Sequence, residues 1–145
     1  MSSKTDIALE AFGNNFNCAQ SVFSAFSEDY NLPRELAFKI SSGLGGGVRC
    51  GEICGAATGA VLVIGLNCGH YVPGDLESKE HVGSETAEFM RRFKEKCGGC
   101  VCRELLGIDI TTPENRMKAK EMGLFNTVCR NLVKNAVEIL EDMGY

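Results

Sequence analysis

An all-α fold follows from three observations on the 145-residue chain. Apolar residues recur at helical spacing in at least six segments, and each segment is bounded by a cap residue, a proline or a glycine. No hairpin dipeptide stands between alternating apolar and polar residues. A run of small and branched apolar residues over 55–65 reads as a helix buried on all sides, against which the others pack. The length suits one domain, residues 1–145, a compact helical bundle with no linker and no internal repeat.

The first helix is marked by Ile7, Ala8, Ala11 and Phe12 and stops at Gly13. Asn17 is placed to cap the second, whose Val22, Phe23, Phe26 and Tyr30 form one stripe. Pro33 suits the first turn of a third helix over residues 33–41. A glycine-rich loop, residues 43–47, then breaks the helix, and glycines this dense imply a backbone passing close to something. It leads to the central helix, where Gly55 and Gly59 let a neighbour approach closely. Pro73 and Gly74 turn the chain into a long polar helix over 76–96, which Gly83 interrupts mildly. A tight loop over 97–102 precedes a short helix ending at Gly107. Thr112, Pro113 and Glu114 open another helix that ends at Gly123. The last runs over 125–143 with Leu132, Val133, Ala136, Val137 and Leu140 inward.

Composition excludes several functions. Fifteen Lys and Arg stand against nineteen Asp and Glu, a net charge of -4, and no basic run gives the footprint that nucleic acid requires. Arg91, Arg92, Lys94 and Lys96 are interleaved with Glu88 and Glu95, which reads as a solvated helix face with i,i+4 pairs. The longest apolar stretch, residues 53–66, falls short of the roughly 18 residues of a membrane span. The first ten residues, MSSKTDIALE, lack an apolar signal core, so the expected location is cytoplasmic. In that reducing setting, eight cysteines are expected as metal ligands or redox thiols rather than structural bridges.

Three chemistries find no support. Cys97-Gly-Gly-Cys100 is followed by Val101 rather than His, so covalent haem is not expected. Residues 43–47 match neither the dinucleotide fingerprint nor a phosphate loop. His70 and His81 are the only histidines, and no nucleophile elbow surrounds a serine.

The cysteines carry the signal. Cys50 and Cys54 are four apart, so a helix beginning near Gly51 would turn both sulfurs to one side. Cys97, Cys100 and Cys102 share a glycine-softened loop, a spacing that lets sulfurs converge on one metal or exchange a disulfide. Cys18, Cys54 and Cys102 all fall at predicted helix N-termini, where unpaired N–H groups favour the thiolate and lower its pKa. Cys129 lies about one turn inside the last helix, and Cys68 reads as a small buried hydrophobe.

The segments Asn17-Cys18-Ala19-Gln20, Ser42-Gly43-Leu44-Gly45-Gly46-Gly47, Gly51-Glu52-Ile53-Cys54-Gly55-Ala56-Ala57-Thr58-Gly59-Ala60 and Cys102-Arg103-Glu104-Leu105-Leu106-Gly107, with Cys129, carry a resemblance across nearly the whole chain. It resembles the redox-active proteins named for their C_GCAxxG_C_C pattern. The resemblance puts that family's four defining cysteines on Cys18, Cys54, Cys102 and Cys129, and implies a cytosolic protein involved in electron transfer. A related helical module in split-Soret cytochromes accompanies an iron-sulfur cluster, which extends the expectation to a cluster here by analogy. Cys50, Cys68, Cys97 and Cys100 are additional to the pattern. A local set drawn from Cys50, Cys54, Cys97, Cys100 and Cys102 is an alternative ligand group, and the extra cysteines are alternatively a separate thiol pair.

The leading expectation is a small redox protein whose thiolates, from Cys18, Cys54, Cys102 and Cys129 with Cys50, hold a two-iron cluster. Gly45, Gly46 and Gly47 would offer backbone N–H donors to its sulfides. The alternatives are a metal-free dithiol protein, cycling through Cys97 and Cys100 or Cys102 and Cys129, and a structural zinc site in a helical interaction module. A redox partner protein and a second copy of the chain are the partners left open. Cys54, Cys102 and Cys129 should line one pocket beside residues 43–47, with Cys50, Cys97 and Cys100 at its rim.

Overall fold

Two reciprocal caps start the chain's first two helices. In the computed structural model, which describes residues 3–145, Ser3 Oγ accepts from Asp6 N and the Asp6 carboxylate accepts from Ser3 N. This opens α1, Lys4–Gly13. Asn17 and Gln20 make the same exchange at 2.9 and 3.0 Å to open α2, Cys18–Ser27. The first two residues of the expected 1–145 unit lie outside the described range.

Helix accounts for 77% of the chain and no strand occurs among the described residues, as the apolar spacing predicts. After a short 3-10 turn, Glu28–Tyr30, Pro33 stands just before α3, Arg34–Ser41, with extended backbone rather than in the first turn. Then follow α4, Gly55–Cys68, α5, Leu76–Cys97, and α6, Cys102–Leu106. Thr112 caps α7, Pro113–Glu121, and α8 is Arg130–Asp142. Gly83 leaves α5 unbroken, because an open face gives its backbone nothing to yield to.

The tightest crossing is between α2 and α4. A Cβ built at Gly59 would lie 2.6 Å from the Ala19 carbonyl oxygen, so the two backbones touch with no side chain between them. Ser21 lies on this small-residue helix and is fully buried; its hydroxyl donates to Asn17 O at 2.8 Å, satisfying a polar group within its own turn. Val22, Phe26, Val63, Ile64, Phe89, Phe93, Val133 and Val137 complete the main core with the inner stripe of α8. The expectation that the 55–65 helix is buried all round holds only over its first turns. Gly65, Leu66 and Asn67 are exposed where α4 runs out into the turn before α5.

The polar face of α5 is paired as the charge spacing predicts. Arg91 bridges Glu88 and Glu95 at 2.9 and 3.0 Å, and Arg92 reaches Glu88 at 2.7 Å. A smaller apolar cluster, Leu106, Ile110 and Ala119 with Cys102 and Cys129, sits at the other end of the fold. Phe12, Cys18 and Val128 pack against both clusters and join them.

No helix among the described residues is long and apolar enough to cross a membrane.

Candidate functional site

Three of the four cysteines of the site lie where helices begin. Cys18 is the first residue of α2, Cys54 immediately precedes α4, and Cys102 is the first residue of α6. Cys129 ends a wide π-helical turn, Phe125–Cys129, in which Arg130 N–H reaches back to the Phe125 carbonyl. That turn inserts one residue into the register, and with Leu124, Cys129 and Arg130 all in helical conformation Cys129 sits about one turn inside a continuous last helix, as the sequence predicts.

Two of these cysteines are aligned by a short antiparallel contact. Ile53 pairs with Val101, so that Cys54 N–H donates to Cys100 O at 2.7 Å and Cys102 N–H donates to Glu52 O at 2.6 Å. Arg103 fastens the same contact by donating to Gly51 O and by pairing with Glu52 at 2.7 Å. The backbone bonds therefore fix both sulfurs relative to each other before any ligand is considered.

Cys18, Cys54, Cys102 and Cys129 line one cavity of about 550 Å³ together with Gly46. Phe12, Leu106, Ile110, Phe125 and Leu132 form apolar walls, and no Asp or Glu lines it. All eight cysteines are free thiols.

Burial decides the protonation of this set. It pushes the Cys54 thiol up to about 12 against the pull of the Ala56 and Ala57 N–H groups, and the Cys102 thiol up to about 11. The Cys18 thiol donates a hydrogen bond to the Cys129 sulfur, which holds Cys18 protonated and well above its usual range while lowering Cys129. The helix-start expectation of lowered thiols at Cys18, Cys54 and Cys102 is corrected here. Their positions are as expected, but loss of hydration on burial outweighs the pull of the helix-start N–H groups. The depressed thiol is the one placed elsewhere by the sequence.

The additional cysteines go to other places. Cys50 does not share a helix face with Cys54, because α4 begins at Gly55 and not near Gly51. It is exposed on the loop, its thiol donating to Gly47 O at 3.2 Å. Cys97, half-buried at the end of α5, accepts from Asn135 Nδ2 at 3.5 Å in a separate surface groove. Cys100 packs into the main core. None of these three lines the cavity, so the rim expected of them is absent. Cys68 bonds to Ile64 O at 3.4 Å, away from the site.

The glycine loop divides similarly. Gly46 lines the cavity, whereas a Cβ at Gly45 would strike the Asn17 side chain and one at Gly47 would strike the Glu52 backbone. Gly46, Gly47, Val48 and Arg49 are consecutively left-handed, with φ of 65°, 63°, 59° and 57°. For Val48 and Arg49 that conformation costs roughly 1–2 kcal/mol each.

Sequence reasoning missed the Ile53–Val101 contact, whose one signal is a β-branched residue directly before a cysteine in each of two glycine-flanked loops. It also missed Arg116, Lys120 and Asn126 as cavity residues, since nothing local marks them.

No curated protein and no solved structure matches the chain. A family model does match residues 16–143, a span that holds all four cavity cysteines. The chain belongs to the family described as "Putative redox-active protein (C_GCAxxG_C_C)".

Proposed function

We propose that the four cavity cysteines hold an iron-sulfur cluster of the two-iron type and that the chain exchanges electrons with a partner protein. The observation that supports this reading is the arrival of Cys18, Cys54, Cys102 and Cys129, from four separate helices, on one apolar-walled cavity. A disulfide needs only two sulfurs in contact and no cavity. A single zinc ion needs thiolates about 2.3 Å from one centre, hence about 3.8 Å apart. Among the described residues no three His, Cys, Asp or Glu side chains are gathered around an ion-sized point. Four cysteines lining a cavity of about 550 Å³ leave room for a group larger than a single ion.

When bound, such a cluster supplies one-electron chemistry at thiolate-held iron. The chain's own residues do the rest. Cys129 is the first donor available, because its neighbour Cys18 lowers its thiol. Cys54 and Cys102 release theirs only to a cation that offsets burial. The N–H groups of Ala56 and Ala57 favour negative charge on the Cys54 sulfur, and Phe12, Phe125 and Leu132 keep water from the site. A cytoplasmic location belongs to this reading, since eight free thiols persist where the surroundings are reducing.

The second reading, a metal-free dithiol, is favoured by the Cys18–Cys129 hydrogen bond, which pairs a donor thiol with a depressed one. Anaerobic purification followed by iron and acid-labile sulfide analysis separates the two. Equal iron and sulfide, lost in Cys54→Ser and Cys102→Ser and kept in Cys68→Ser, is the expected result. An iron-free protein in which one cavity pair reversibly forms a disulfide overturns the cluster in favour of the dithiol.

A further inference from the structure

The cavity has a second lobe that cysteine chemistry leaves unused. It is about 200 Å³ and shares Asn17, Gly46, Ile110, Arg116 and Phe125 with the cysteine cavity. Arg49 lines the lobe, Lys120 lines the main cavity, and Arg116 lines both. Among the described residues none of these three cations forms an ion pair. No carboxylate lines either lobe. In a chain with net charge -4, three unpaired cations around one opening run against the overall balance.

One of these cations is fastened by a side-chain hydrogen bond, while Arg49 and Lys120 are exposed. Arg116 is half-buried and donates through Nη2 to Ile110 O at 3.3 Å, which fixes its guanidinium while leaving other N–H groups unused. Arg49 is presented by the left-handed turn that a bulky residue enters only against strain. Asp109, the acid nearest Cys102, is turned to the Thr111 N–H at 3.0 Å and lies outside both lobes.

We propose that the lobe between Arg49 and Arg116 binds the carboxylate or phosphate head of a small organic anion, whose remainder lies between Ile110 and Phe125 and reaches the cysteines. Guanidinium groups suit such heads because their planar donors match two oxygens at once. The inference rests on the redox reading only in making the anion a reactant; the binding site itself needs no cluster.

The test uses the full-length reduced chain, stripped of iron with a chelator and alkylated with iodoacetate or with iodoacetamide. Peptide mass spectrometry follows Cys129. Both reagents lose iodide to the same thiolate, so their rate ratio isolates the effect of the reagent's charge. The iodoacetate-to-iodoacetamide ratio should fall about tenfold in the Arg49→Gln/Arg116→Gln double variant, and it should also fall in the wild type as salt is raised. An equal ratio in wild type and double variant overturns the proposal. Should the double variant also alter the iodoacetamide rate, the single exposed-residue variant Arg49→Gln decides: a lowered ratio supports the site and an unchanged one removes it. A lost ratio in a protein that purifies with iron and sulfide ends this inference alone, while a retained ratio in an iron-free protein ends only the cluster.

Discussion

Cys129 depends on one neighbour. Its thiol is lowered because Cys18 donates to it, so Cys18→Ala should return it toward the ordinary range near 9. The pH profile of Cys129 alkylation, followed in the reduced metal-free chain, should move to higher pH in that variant. A profile that stays in place would mean the thiolate is stabilised by something other than Cys18. Three of the cavity cysteines were legible as helix starts, Cys18 after its cap Asn17, Cys54 before Gly55 and Cys102 after a glycine-softened loop, while Cys129 joined the set only through the family resemblance. Their protonation was not legible. A helix dipole is read from local sequence, whereas burial comes from Phe12, Leu106 and Leu132, which are brought in from distant segments.

At the scale of elements, the crossing of α2 on α4 is the most exacting contact. Gly59→Ala places a methyl group against the Ala19 carbonyl, and backbone atoms there have no rotamer with which to yield. The variant should lose on the order of 1–3 kcal/mol in denaturant unfolding. An unchanged midpoint would show that the helices slide apart at no cost. Gly55 and Gly59 made a close approach to α4 readable, though not that α2 makes it, and the inner stripe of α8 was readable from its own spacing. The π-helical turn before α8 and the Ile53–Val101 contact were not readable, because each is a one-residue departure from a regular pattern. Periodicity over a dozen residues averages such a departure away. The expectation that Cys50 joins Cys54 failed for the same reason: the left-handed turn over 46–49 delays the helix to Gly55 and leaves Cys50 outside.

For the whole molecule, the raised thiols set a pH limit on the metal-free state. Cys54 and Cys102 have folded values of about 12 and about 11, both above the unfolded value of 9.0. Folding therefore favours their protonated forms. The stability this contributes is fully present below pH 9 and is lost as pH rises through the folded values. The apo chain should lose denaturant stability between about pH 9 and 12, and Cys54→Ala should flatten that decline. Tyr145, raised by burial and by its bond to Glu85, acts in an overlapping alkaline range, so the comparison of slopes with and without Cys54 carries the test. An identical slope in the variant would remove Cys54 as a source of the alkaline limit. With metal bound, the same thiolates are neutralised by the cation and the alkaline decline should shrink.

The short contact between Ile53 and Val101 also bears on the order of assembly. Cys54 and Cys102 are brought side by side by two backbone bonds between loops that are remote in sequence, and Cys18 and Cys129 come from near the opposite ends of the chain. A nascent or unfolded polypeptide thus holds its donors in scattered places, and closing the intervening loops is an entropic cost the packed helices must already have met. On the cluster reading, loading would be a late event, taken by a folded receiver, and a chain stalled before the loops meet would present isolated thiols open to oxidation.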